Sequence, residues 1–489
     1  MAESIPFEYY IIRNIILKYL PIEKIDSLEY KFLYPFEKID KKNLSLTDRI
    51  DPNNQIRFYL RNRTFRIVSE LAKKISETGI KEANFYTIEL HSPLKNHFVS
   101  ALLRMNVVVQ FINRPEDNFS PLTLNEIAVI KEILKGKNGN ITLIQDAIEK
   151  IINSGDIFTA ETLLEHGMKN FIGFDCSHAN IIGTIKNCMM KPLEAEYYYN
   201  LSKIDQIPLS IVKANYPLSM LYLRHHKFNK LNLEKGKKYL EDAFSIIKSG
   251  ALDYLDETEK QFYTVFNRNG YGLVLFKEGK EKKAIDLLNW GIKTLTGVED
   301  KYYMHKSVLI YNICQCYKKL MQYDKAIEKY QELLEIDYTF TEYHIEMGLC
   351  RQLKGDLQGF KICVEQALTI NPYHSDSHYH YSLIKLDEDD LSSAEYHAKM
   401  AWELSGDDVT AYNYAYVQSL TGKYDLLSRV CPTHHSQFLS EWFILQAEQA
   451  CQKSISKGVH ILTEALNVCP GNQHIINNIE YIKSAIKYD

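Results

Sequence analysis

The chain has 489 residues, 45% of them hydrophobic and 25% charged, an ordinary composition for a soluble fold and enough chain to bury a large core. Its formal net charge of −4, with no Lys/Arg cluster interleaved with aromatics, argues against nucleic acid as the primary partner. No stretch approaches the roughly 18 uncharged apolar residues that span a bilayer, and acidic Glu3 and Glu8 stand where a secretory leader would be basic, so a cytoplasmic protein without membrane insertion is expected.

Residues 1–137 are expected to form an N-terminal domain of mixed or helical structure. Residues 7–17 carry apolar side chains at helical spacing, and residues 57–74 give a second amphipathic helix. Residues 84–90 are rich in β-branched and aromatic side chains, a helix follows with Ser92 as its cap, and residues 106–112 form a second candidate strand. Strand, helix, strand is one reading, and helices with β-branched faces are the other, because short apolar runs fit either. Gly79 is the only glycine before Gly136, which excludes the glycine-rich phosphate cradles of dinucleotide and P-loop sites. Glu89 and His91 flank the end of the first candidate strand and are the candidate catalytic residues; no nucleophile–base pairing accompanies them, and a polar strand end accounts for them equally.

From residue 140 the pattern becomes helical hairpins with small residues where two helices meet. Gly155 and Ala160 mark the first, Gly183 and Ala195 the second, Gly236 and Ala243 the third, Gly272 and Ala284 the fourth. Intervals of 48 residues from Pro217 to Val265 and 42 from Val265 to Ser307 announce insertions at 249–259 and 296–303, to be taken up as long loops or extended helices. Residues 307–340 then carry Ile310, Ile313, Cys314, Tyr317, Ala326 and Tyr330. The next unit, starting 34 residues later, carries His344, Met347, Gly348, Arg351, Phe360, Val364, Ala367 and Pro372. Ala394 and Ala398 continue the series. Residues 409–431 are degenerate, with a short second helix expected to end at Pro432, and residues 439–472 restore the pattern with Trp442, Leu445, Gly458, Leu462, Ala465 and Pro470.

The period of 34 and these residue types resemble the tetratricopeptide repeat, over about residues 140–489 and not before. The resemblance implies a mainly α fold: a right-handed α-α superhelix of tetratricopeptide-like helical hairpins over 138–472, a capping helix over 473–489, and an N-terminal α or small α/β domain ahead of them. It also implies that the first helix of each hairpin lines a concave groove that holds a protein or peptide segment. Carried onto this sequence, the groove positions are Asn269, Phe276, Tyr311, Gln315, Lys318, Tyr379 and Asn413, with Phe266, Leu273, Lys319, Ile345, Leu349, Gln352 and Leu383 beside them. Packing against the next repeat is the alternative for each. Where some members hold a two-carboxylate clamp of Lys and Asn, this chain has Tyr311, Gln315, Ile345 and Leu349, so that clamp is not expected.

His344 and His378 are the candidate metal ligands, but both fall at an aromatic packing position, and structural imidazoles with no metal and no cofactor are expected. The nine cysteines, all at or beyond Cys176, suit reduced, mostly buried thiols. The acidic run 387–390 lacks the glycine of a calcium loop and suits a solvated turn with a helix cap. The first functional reading is a cytoplasmic scaffold or adaptor binding a peptide or protein segment. The alternatives are a peptide- or protein-modifying enzyme, or its substrate-recruiting subunit, with chemistry in the N-terminal domain, and a peptide-sensing regulatory receptor. The sequence leans away from an enzyme, and homo-oligomerisation stays open.

Overall fold

The computed structural model describes residues 7–42, 44–50, 60–86, 93–112, 121–170, 176–430 and 438–486. They form two compact units, Met1–Phe340 and Thr341–Asp489. The protein is mainly α, with 24 α-helices and one two-stranded sheet among the described residues.

In the first unit, Tyr9, Ile12, Ile15 and Ile16 bury one side of helix α1 (Glu8–Tyr19). Asp26 and Glu29 close a capping box on α2 (Ser27–Leu33), and Ser45 caps the one-turn α3 (Leu46–Arg49). After α4 (Leu60–Glu77), strand β1 (Glu82–Tyr86) leads through α5 (Pro93–Arg104) to β2 (Val108–Ile112). The strands pair in parallel, from Glu82 opposite Val108 to Tyr86 opposite Ile112. The stretch left open between strands and helices is therefore a strand, helix, strand unit, with Ala83 and Phe85 buried in the same core as Phe98, Ala101 and Leu102. Next, α6 (Leu124–Leu134) brings Glu126 to Arg13. The guanidinium gives the carboxylate two bonds of 2.8 and 2.9 Å, and neither side chain has exposed area.

The hairpins of this unit are α7 (Ile141–Ser154) with α8 (Ile157–Asn170), α9 (Cys176–Cys188) with α10 (Pro192–Leu201), α11 (Pro208–Met220) with α12 (Leu233–Lys248), α13 (Glu257–Lys277) with α14 (Glu281–Thr294), and α15 (Asp300–Lys319) with α16 (Tyr323–Ile336). A single apolar core runs from Phe7 to Cys188, so the N-terminal elements and the first two hairpins share one interior. The two sequence insertions lengthen first helices: α13 has 21 residues and α15 has 20, and Asp256 caps the longer by accepting from the Glu259 N–H. On the lengthened part of α15, Met304 packs with Leu46 and Ile50 of the N-terminal region and Asp300 pairs with Arg49 at 3.0 Å, while Asp337 at the end of α16 accepts from the Thr47 N–H at 3.1 Å.

The second unit contains α17 (Thr341–Leu353) with α18 (Leu357–Ile370), α19 (Ser375–Asp387) with α20 (Leu391–Ser405), α21 (Asp408–Ser419), α22 (Leu439–Cys451) with α23 (Ile455–Val468), and α24 (Gln473–Ile486). Here α17 and α19 start 34 residues apart, as do α18 and α20. Gly348 shows why small residues recur: a Cβ there would lie 2.9 Å from the Cys363 Cβ, so α17 and α18 approach this closely only over a glycine. The short second helix expected after α21 does not form. Residues 420–430 run as turns through Gly422 at φ +72, Gln418 reaches forward to accept from the Leu426 N–H at 3.2 Å, and Tyr424, Leu426 and Leu427 fill the space against Trp442. About ten residues are too few for a connection and a stable helix. Pro432 lies outside the described residues. The acidic run ends in Asp390, which caps α20 by accepting from the Ser393 N–H.

Candidate functional site

In the first unit, α11, α13 and α15 are first helices that pack side by side. Pro217 sits inside α11 and cannot donate to the preceding turn, and the helix then widens into a π-turn at Leu221–His225. One residue before the proline, Tyr216 stacks on Phe266 of α13, ring centroids 3.8 Å apart. Asn269, one turn beyond Phe266, exposes only 3% of its surface, and its Oδ1 accepts from the Asn312 Nδ2 of α15 at 2.7 Å. Burial pushes the Tyr216 phenol up to about 12. An aromatic stack thus joins α11 to α13, and an amide pair joins α13 to α15.

Two turns further along α13, half-buried Phe276 receives Lys319 of α15. The ammonium lies 4.4 Å from the ring centroid, donates to the Phe276 carbonyl at 2.8 Å and pairs with Glu281 at 2.7 Å. Tyr311, Gln315 and Lys318 are half-buried on α15. The Gln315 amide donates to the Tyr330 hydroxyl at 2.7 Å, and the Tyr311 ring meets Tyr330 edge-on at 6.2 Å. On the lengthened part of α15, His305 has no exposed area. The rings of Phe262 and Phe266 stand 5.1 and 5.5 Å away, and neither ring nitrogen has a hydrogen-bond partner among the described residues. Burial alone holds the imidazole down to about 3, in its neutral form.

In the second unit, Asn413 is buried and its Nδ2 donates to the Ser382 hydroxyl at 2.7 Å, a tie between α21 and α19. Tyr379 is half-buried beside His380. His344 is buried in α17. His378 has both nitrogens engaged. Its Nε2 lies 2.9 Å from the Pro372 carbonyl, which only accepts, so Nε2 carries the hydrogen and Nδ1 accepts from the His397 Nδ1–H at 2.8 Å. Burial lowers both imidazoles, His397 to about 4. Among the described residues no group of three or more His, Cys, Asp or Glu could hold a metal ion. Glu89 and His91 lie outside the described residues. Cys188, Cys314, Cys316, Cys350, Cys363, Cys451 and Cys469 are free thiols, and no helix of the described residues is long and apolar enough to cross a membrane.

The sequence set Asn269 and Asn413 at groove positions, but both side chains are buried and bond to a neighbouring helix, the packing role that was the alternative for each; the partners were not marked. Tyr216 precedes a proline in an irregular hairpin, and nothing in a 34-residue period announces a bond between residues 43 positions apart.

No family model matches the chain, and no curated protein matches it. Solved structures do resemble it. A tetratricopeptide repeat protein from Parabacteroides merdae is 12% identical with a TM-score of 0.35, over 57% of this chain and 99% of the other. The human IFIT1 dimer with PPP-AAAA is 14% identical with a TM-score of 0.33, over 71% and 90%. The APC/C hetero-tetramer Cut9–Hcn1 is 12% identical with a TM-score of 0.35, over 89% and 96%. All are likenesses of fold, and the hairpins with their 34-residue spacing define this chain's fold directly.

Proposed function

We propose that this chain is a cytoplasmic scaffold or adaptor that binds a peptide or protein segment on the first helices of its hairpins, chiefly α11, α13 and α15. The observation that carries the reading is the pair of ties between first helices, the Tyr216–Phe266 stack and the Asn269–Asn312 amide bond, which hold three of them side by side while Phe276, Tyr311 and Gln315 stay half-exposed on two of them. Half-exposed aromatics supply apolar contact area to a segment. Side-chain amides both donate to and accept from its backbone, and the Gln315 carbonyl oxygen accepts nothing from the described residues.

Selection of a phage-displayed random peptide library on the full chain tests this. An enriched sequence family is expected, and its synthetic peptide should bind the Tyr311→Ala/Gln315→Ala variant about tenfold more weakly, a loss near 1.4 kcal/mol. No enrichment over a blank surface, or a peptide indifferent to both substitutions, would sink the reading.

A further inference from the structure

Stacked hairpins pack on their neighbours in the chain, but α3 packs on α15 and α16, far along it. Arg49 and Asp300 stand 251 positions apart, Thr47 and Asp337 290. A single turn of helix is too short to hold its shape alone, so α3 takes it from what it lies against. The Arg49 guanidinium grips Asp300 with two prongs, Nε to one carboxylate oxygen at 3.1 Å and Nη2 to the other at 3.0 Å. Leu46 and Ile50, four residues apart and so on one side of the turn, close on Met304 with Ile336 beside them. Asp337 exposes 2% of its surface and accepts from Thr47 twice, from its N–H at 3.1 Å and from its hydroxyl. Aliphatic anchors, a charge fork and a carboxylate on a backbone N–H are the contacts by which a groove holds a peptide.

At about 100° per residue, Asp300, Met304, Tyr311, Gln315 and Lys318 fall within about 60° of one another around α15. α3 therefore covers the first turns of the same face whose later turns present Tyr311 and Gln315. Neither neighbour needs α3 for its own interior. The cluster of Leu46, Ile50 and Met304 is separate from the core that runs from Phe7 to Cys188, and from the one that α13, α14 and α15 share. On the other side of α3, Asp48 pairs with Arg66 of α4 at 3.0 Å and its carbonyl accepts from the Arg63 guanidinium at 3.2 Å. α3 can thus leave α15 while staying attached to α4, with both cores intact.

We propose that the start of the α15 face is a segment-binding surface that α3 occupies as an internal ligand, and that a partner segment with aliphatic side chains at positions i and i+4 and arginine at i+3 displaces it. The pattern is that of Leu46, Ile50 and Arg49. This names the chemistry of the segment and rests on the segment-binding reading above. A ligand carried on the same chain competes at a high effective concentration, so a separate segment binds weakly until α3 is withdrawn.

The test is fluorescence anisotropy with the full chain and a fluorescein-labelled heptapeptide amide that has the sequence of residues 44–50. Leu46→Asp/Ile50→Asp withdraws α3, and this variant should bind the peptide at least about tenfold more tightly than the native chain does. Arg49→Glu sets like charges against each other at a part-exposed site and leaves the apolar contact alone. It should move binding in the same direction, which keeps the test decisive if the double variant fails to fold. In either background, Asp300→Arg should abolish binding of the peptide and confer binding on the same peptide carrying Arg49→Glu when α3 is withdrawn by Leu46→Asp/Ile50→Asp. Equal binding by the native and Arg49→Glu chains, or a peptide indifferent to Asp300→Arg, overturns α3 as an internal ligand, and so does a peptide that binds none of the chains. If the phage-selected peptide in that event still loses affinity with Tyr311→Ala/Gln315→Ala, segment binding stands and this inference alone falls. If the phage selection also yields nothing, both fall.

Discussion

Both ring nitrogens of His305 lie within protein, closed in by Phe262 and Phe266. One of them carries a hydrogen with no acceptor, and an orphaned buried donor costs about 1–3 kcal/mol. His305→Phe removes both polar atoms at similar volume and should raise the unfolding free energy by about 1 kcal/mol, read from urea denaturation. The same ring makes the fold acid-sensitive. Its pKa is held to about 3 in the folded chain against an ordinary value of about 6.5. Between those values the unfolded chain takes a proton that the folded chain refuses, so stability present above the ordinary value is lost as pH falls, by up to about 1.4 kcal/mol per unit. His225 and His397, both lowered to about 4 mainly by burial, add in the same direction. The urea midpoint should therefore drop between about pH 7.5 and about pH 5, and drop less steeply in His305→Phe. A variant that is no more stable and equally acid-sensitive would show that the orphaned ring is not the cause. The sequence did not mark this residue, because it lies on the part of α15 that extends beyond the 34-residue pattern.

Helices α1 and α6 are joined by Arg13 and Glu126, residues 113 positions apart with no exposed side-chain area. The Tyr9 hydroxyl donates to the same carboxylate at 2.9 Å, and the Leu33 carbonyl accepts from the guanidinium at 3.1 Å. Arg13→Met leaves the carboxylate buried and uncompensated, which should cost about 3–5 kcal/mol in urea denaturation. Arg13→Met/Glu126→Leu should cost less than that single substitution, because no charge is then left alone. Equal losses would mean that the ion pair is not what joins the helices. At this scale the hairpins were legible wherever glycine and alanine mark a close helix approach, as Gly348 does against Cys363. The β1–α5–β2 unit was half legible, since five-residue runs of mixed apolar and polar side chains suit a strand or a helix. A buried charge pair between distant helices leaves no local periodicity, and Arg13 reads in sequence as one polar position in an apolar helix.

The helical array was written plainly in the sequence over residues 307–372, where the period is undisturbed, and the irregular stretches were not. The insertion at 249–259 became turns over 249–256 and the first residues of a longer α13, on which Phe262 packs against His305. Likewise Tyr311 and Gln315 were legible as first-helix positions, where they are half-buried, while the packing of α11, with its internal proline, was not. We propose α11, α13 and α15 as the binding face, and deuterium exchange of the full chain, with and without the peptide from the phage selection, tests it. Slower exchange on peptide addition is predicted in 208–225, 257–277 and 300–319. Unchanged exchange there, with protection confined to residues 60–112 while the peptide remains bound, would contradict it.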